Sequence, residues 1–287
     1  MNTIHRSWSL TKTSFSVLWQ DPEMLIFPVL SAFFSTCFIA LIFVPSVFAS
    51  VMSSGSGSIS IAFGGLEAIL LFCSYFVFAF LSTFFNVCVV YTAKTRFEGG
   101  NATFFQSLGF AMSRVHRIAA WSLVSATVGL FLRWLDNMAE RKGIVGVIFR
   151  LLAGLLGFAW AIVQLFVIPA MVYEDVGPVD AIKTSISTLK ETWGESLVRH
   201  YGLGFLQFLA TLPWILAIAG GIYLLTMLPP LGGVVIALGV VGIIATSTVF
   251  GVLNTIYNTA LYHFASTRSV PSGWEDEPLE MAFTPRY

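Results

Sequence analysis

The chain has 287 residues, of which 56% are hydrophobic and only 10% charged, with a mean hydropathy of +0.83 and a formal net charge of zero. A soluble domain carries about 25% charged residues because its surface must face water, so a chain this poor in charge needs lipid as its solvent. Electrical neutrality leaves no basic field of the kind that attracts nucleic acid, and no nucleic-acid partner is expected.

In chain order, Ile4 to Gln20 is polar and amphipathic, and the first apolar run starts only near Met24. The N-terminus therefore does not read as a cleavable signal peptide, and that first run is expected to act as an uncleaved signal-anchor. Six segments are long enough to cross a hydrocarbon core that needs about 20 residues of helix. They are Met24–Phe48, Leu66–Tyr91, Ile118–Leu135, Val145–Tyr173, Tyr201–Leu228 and Gly232–Phe264. The third is the shortest; Arg133 at its end has to snorkel to the interface, as does Arg150 at the start of the fourth. The loop Ser53–Ser58 is uncharged and rich in Gly and Ser. Pro229-Pro230 followed by Gly232-Gly233 makes a tight turn between the fifth and sixth segments. The predicted fold is thus an all-α membrane protein of about six transmembrane helices.

Eleven of the Lys and Arg residues, from Arg6 to Arg286, fall on one side of these spans, and only Arg133, Arg141, Lys142 and Arg150 on the other. The positive-inside rule then puts both termini in the cytoplasm of a multi-pass protein of the cell (inner) membrane.

Three polar segments carry helical periodicity and are too short and polar to span. In Pro178–Trp193, Ile182, Ile186, Leu189 and Trp193 share one face; in Asn101–Val115, Phe104, Leu108, Ala111 and Val115 do so, with Asn101 a candidate cap. Ile4, Trp8, Phe15, Leu18 and Trp19 make a looser version near the N-terminus. Each is expected to lie along the inner interface or under the bundle.

The order surface helix, span, span therefore occurs three times, over units of about 4–96, 101–175 and 178–268, followed by a short tail, 271–287. Asn86 precedes Ala93-Lys94-Thr95-Arg96 as Asn258 precedes Ala265-Ser266-Thr267-Arg268, and Gln164 holds the corresponding place in the fourth span. A threefold parallel repeat is expected. The second, fourth and sixth helices should run on to about Arg96, Asp175 and Thr267, and project from the inner leaflet.

Ionisable residues deep in a membrane usually mark ion or substrate paths, and the middle of every span lacks them. What remains is a set of amides and hydroxyls: Asn86 with Ser82, Gln164, and Asn254 and Asn258 with Ser247 on one helix face. This polar seam either lines a conduit or acts as interhelical glue, worth about 0.6 kcal/mol per hydrogen bond. Small residues recur at four-residue spacing in Ala153, Gly157 and Ala161, in Ala217 and Gly221, and in Gly233 and Ala237, as close packing of helices requires. Cys37, Cys73 and Cys88 lie in apolar runs without CxxC spacing. The histidines His5, His116, His200 and His263 match no metal motif. No nucleophile, P-loop or HExxH pattern occurs. Glu174-Asp175 and Glu275-Asp276-Glu277 read as solvated caps and linkers. No catalytic residue, metal or cofactor is expected.

Arg6-Ser7-Trp8-Ser9-Leu10, Pro169-Ala170-Met171-Val172-Tyr173-Glu174-Asp175 with Ala181–Ser185, Lys190-Glu191-Thr192-Trp193-Gly194-Glu195 and the tail from Val270 through Phe283 together resemble an uncharacterised prokaryotic integral-membrane family, a domain of unknown function. The likeness extends over nearly the whole chain. More distantly the chain is similar to the membrane domain fused to some glycerophosphodiesterases, without their catalytic barrel. The resemblance implies a prokaryotic cell membrane and carries no activity.

The resulting expectation is a non-enzymatic scaffold or accessory subunit in the lipid bilayer, as a homo-oligomer or with a membrane-protein partner. The alternative is a channel or transporter for a neutral or lipid-like solute.

Overall fold

The computed structural model describes residues 14–53, 64–140, 142–193 and 202–272, and all its regular structure there is helical. Helix α1 covers 14–20, a 3-10 turn Pro22–Leu25 follows, then α2 (Ile26–Ser53), α3 (Gly64–Phe97), α4 (Phe104–Ser113), α5 (Val115–Ala139), α6 (Ile144–Tyr173), α7 (Pro178–Trp193), α8 (Gly202–Leu225) and α9 (Pro229–Thr267). Six of these are long and apolar enough to cross a membrane: the turn with α2, then α3, α5, α6, α8 and α9. They coincide with the six segments expected from sequence. Of the amphipathic N-terminal segment, Ile4 and Trp8 lie outside the described residues, as do the Ser54–Ser58 part of the first loop, Arg199 and most of the tail.

Length separates the six. Helices α3, α6 and α9 have 34, 30 and 39 residues and end at Phe97, Tyr173 and Thr267. At about 1.5 Å per residue even the shortest is about 45 Å long, against a hydrocarbon core of about 30 Å. Each run ends in left-handed backbone, at Gly99 (φ 80°), Asp175 (φ 55°) and Arg268 (φ 55°). A residue in that conformation cannot continue an α-helix, and lets its N–H or the next one close onto the last turn. Arg268 does so through its own N–H to the Phe264 carbonyl, at 2.9 Å.

The chain divides into two compact units. The first gathers the residues up to Ile26, Val89–Phe104 and the residues from Ser187 onward. Its main feature is the α8–α9 hairpin. Glycines let the two backbones meet: a Cβ on Gly232 would lie 2.6 Å from the Leu225 nitrogen and 2.8 Å from the Gly221 carbonyl oxygen. One on Gly239 would lie 3.1 Å from the Trp214 carbonyl oxygen, and one on Gly242 would overlap the Trp214 ring. The indole N–H of Trp214 donates to Thr246 Oγ1 at 3.1 Å. A small-residue seam was expected here on Ala217, Gly221, Gly233 and Ala237. Gly221 lies in it, its added Cβ 2.7 Å from Ile236 Cγ1, but one on Gly233 would meet nothing within 4 Å, and Gly232 takes that place. Further along, α9 buries Leu253, Ile256, Ala260, Leu261 and Tyr262 completely or nearly so, and Met24 of the 3-10 turn is equally buried.

The second unit comprises Phe27–Cys88 and Phe105–Ile186. Here large rings make the contacts: Phe34 stacks on Phe85 at 6.1 Å between centroids, Phe38 meets Phe78 edge-on at 5.7 Å, and Trp121 stacks on Trp160 at 5.5 Å. The small-residue face expected on α6 is only partly used. Ala153 is buried, but a Cβ on Gly157 would meet nothing and Ala161 is exposed. The buried stripe of α7 departs in part from the predicted one. Leu189 is buried as expected, but Ala181 and Ser185 are buried where Ile182 and Ile186 are half-covered, and the side chain of Trp193 lies outside those described. Ser185 takes the inner position because its hydroxyl donates to the Val163 carbonyl at 2.8 Å, a bond no apolar side chain can make.

Candidate functional site

Among the described residues, charge collects at the ends of the long helices, with a paired cluster in each unit. In the first, the Arg96 guanidinium grips Asp21 with two bonds, Nε to Oδ2 at 2.6 Å and Nη2 to Oδ1 at 2.5 Å, and reaches Asn101 Oδ1 at 3.2 Å. Asp21 is nearly buried, so this planar two-point pairing is what makes its charge tolerable. Next to it Glu23 accepts the N–H of Phe104, the first residue of α4, at 2.8 Å. A carboxylate there satisfies a donor that the helix leaves free and complements its dipole. The expectation that Asn101 caps α4 is thus corrected: Asn101 turns to Arg96, and Glu23 accepts from Phe104. His263 is buried, with its ring 6.0 Å from that of Phe97.

In the second unit, Asp175 receives both Arg114, at 2.5 Å from Nε, and Arg117. Arg114 also lies over the Phe110 ring, 3.8 Å from its centre. Arg117 first, and Arg114 with it, hold the Asp175 carboxyl below the ordinary carboxylate range. Glu174 accepts the Thr184 hydroxyl at 3.1 Å. The acidic pair that sequence reads as a solvated cap is therefore the anchor joining the ends of α4, α5, α6 and α7. Sequence reasoning missed Asp21 and its pairing with Arg96, 75 residues away, and that of Arg114 with Asp175, 61 residues away, because partners so far apart leave no local signal.

The amides and hydroxyls divide between the units. Asn86 and Gln164 belong to the second; Ser247, Asn254 and Asn258 belong to α9 in the first. Asn86 is half-buried, and its Oδ1 is enclosed without a hydrogen-bond partner among the described residues. Gln164, Ser82, Ser247 and Asn254 are exposed, and Asn258 is half-buried. Ser247 and Asn254 occupy the middle of the longest helix, on one face, and neither makes a hydrogen bond to another described residue. Among the described residues, then, neither acts as interhelical glue within the chain. Gln164 and Asn258 stand equally far in sequence from the last residues of their helices, and Asn86 two residues further from its own.

No group of three or more His, Cys, Asp and Glu side chains among the described residues is placed to hold a metal ion. His116 is exposed, while His5 and His200 lie outside the described residues.

No curated protein matches the chain. A family model matches residues 65–272. Those residues take in Pro169–Asp175, Ala181–Ser185 and Lys190–Glu195, on which the resemblance rested, and leave out Arg6–Leu10 and the tail from Gly273. The matched region holds α3 from its second residue through α9 and excludes α2. The chain belongs to DUF6159, a family of unknown function.

Proposed function

We propose that the protein is a non-enzymatic scaffold or accessory subunit of a prokaryotic cell membrane, with both termini cytoplasmic, that docks further transmembrane helices. The observation that carries this is the exposed pair Ser247 and Asn254 in the middle of α9. An amide facing hydrocarbon without a partner is costly, and a helix from a second copy or another membrane protein relieves that cost. The surrounding surface supports the reading. In the most apolar stretches of α2 and α8 only 6% of residues are buried, leaving long faces for lipid or for other helices.

The charged groups support a structural role over a catalytic one. Asp21, Glu23, Glu174 and Asp175 are each engaged by an arginine, a helix N–H or a threonine, so none is held ready to move a proton. The similar endings of α3, α6 and α9 fit a threefold repeat of surface helix and helical hairpin.

Native electrophoresis of gently solubilised membranes tests this. The protein is expected in an assembly larger than its 31.4 kDa monomer, and Ser247→Ala with Asn254→Leu is expected to release the monomer. A second reading, a channel or transporter for a neutral or lipid-like solute, is favoured by the enclosed, unpartnered Asn86 Oδ1. A wild-type monomer that conducts a neutral solute in vesicles, and loses conduction with Asn86→Leu, would replace the scaffold by that reading.

A further inference from the structure

In the second unit a cleft of about 870 Å³ opens between α2, α3 and α5. Ligand sites typically fall between about 300 and 1,000 Å³ and are mostly apolar with a few placed polar groups. This cleft has that make-up. Phe38, Ile39 and Ile42 form one wall and Leu71 and Phe78 another, with Ala126 facing them. The cause is visible in the packing: the edge-on rings of Phe38 and Phe78 hold α2 and α3 apart, while the residues that could fill the gap are small, Ser74, Ala79 and Ser125.

Two polar features break the apolar lining. At one end, Arg133 directs Nη1 toward the Tyr75 hydroxyl at 3.4 Å. Among the described residues no carboxylate lies within ion-pair distance of Arg133, whereas Arg96, Arg114 and Arg117 each have one. A guanidinium offers five donors in a planar fork that suits a phosphate, and one tyrosine oxygen leaves most of them unused. Deeper on the same helix, Ser125 Oγ is enclosed and has no hydrogen-bond partner among the described residues.

From this arrangement we propose that the cleft binds one anionic phospholipid, its phosphate on Arg133 and Tyr75 and an acyl chain along Phe38, Ile42 and Phe78. The apolar walls assign the site to a lipid over a soluble anion, and the Arg133 charge, which no described carboxylate pairs, assigns it to an anionic lipid over a neutral one. The site is independent of the docking face on α9, which belongs to the other unit.

Photolabelling of the purified full chain in detergent tests the proposal, with phosphatidylglycerol and diacylglycerol carrying the same diazirine-bearing acyl chain. Phosphatidylglycerol adducts are expected on the α3 peptide containing Tyr75 and Phe78. Arg133→Gln, at an exposed position, should lower that labelling about tenfold, the loss of one charge-assisted contact, with helical content and elution volume unchanged. It should leave diacylglycerol labelling unchanged. Ser74→Phe, which fills the cleft, should remove both labels while helical content and elution volume stay constant. Equal labelling by the two lipids, or phosphatidylglycerol labelling that survives Arg133→Gln, would overturn the proposal. Competition by millimolar glycerol 3-phosphate would overturn it too, by assigning the site to a soluble anion.

Discussion

The α8–α9 hairpin and the α2–α3–α5 cleft show two ways of bringing apolar helices together. In the hairpin, Gly232 and Gly239 remove side chains from the seam, so backbone meets backbone and no space remains. In the cleft, Phe38 and Phe78 meet ring to edge and hold their helices apart, and about 870 Å³ stays open beside them. Lipid tails are as apolar as the side chains, so burial drives neither contact; close packing and hydrogen bonds do. The glycine seam spends those terms on a closed pair. The aromatic seam leaves part of them for something else to satisfy.

The largest effect that breaks this comparison is expected in the hairpin. Gly232→Val would force a branched side chain against the Leu225 and Gly221 backbones, which cannot move aside. Overpacking of this kind costs about 3 kcal/mol. Gly233→Val, one residue on, faces open space and should stay within about 0.5 kcal/mol. Thermal unfolding of the two variants in the same detergent reads the difference; equal midpoints would remove the seam from the account.

A smaller effect lies in the second unit, where side-chain hydrogen bonds do the joining. Ser185→Ala deletes the bond to the Val163 carbonyl and should cost about 1 kcal/mol. Smaller again is Asp175→Asn, since the pair is half exposed and water screens it: below about 1 kcal/mol at neutral pH. The pH dependence has a definite sign. The two arginines lower the folded pKa of Asp175 from its ordinary 3.8. Its contribution is therefore fully present above that value and is lost as pH falls through the lower folded value. Comparing wild type with Asp175→Asn from pH 6 to pH 3 should show the gap closing, and a gap that widens on acidification would contradict the pairing.

The smallest effect runs the other way. Arg268 holds a left-handed conformation at the end of α9, with φ 55°. Arg268→Gly should stabilise by up to about 1 kcal/mol by removing that strain. No gain would mean that Arg268 makes a compensating contact.

The six helices were legible because uncharged apolar runs of this length have one stable form in lipid, a helix. The length of α3, α6 and α9 was legible too, since no helix breaker separates the apolar runs ending at Tyr91, Tyr173 and Phe264 from the short polar stretches after them. What could not be read was which face each helix buries. The exchange of Ile186 for Ser185 on α7 goes with one hydrogen bond, and that of Gly233 for Gly232 on α9 is a shift of one residue that composition does not register. The amides Asn86, Gln164, Asn254 and Asn258 stand out in the sequence because such groups are rare in apolar spans. That Gln164 and Asn254 are exposed while Asn86 and Asn258 are half-buried was not legible, since hydropathy does not say whether a polar group in a span faces a neighbour or the bilayer. Asp21 and Arg96 met across the fold with no mark in the local pattern.

The central claim is that the polar face in the middle of α9 meets protein. A photoreactive amino acid placed at Asn254, and separately at Val241, which is also exposed on α9, tests it in native membranes. The account predicts adducts with a transmembrane polypeptide, a second copy or another chain, from position 254, and lipid adducts from position 241. Lipid adducts alone from both positions would contradict it.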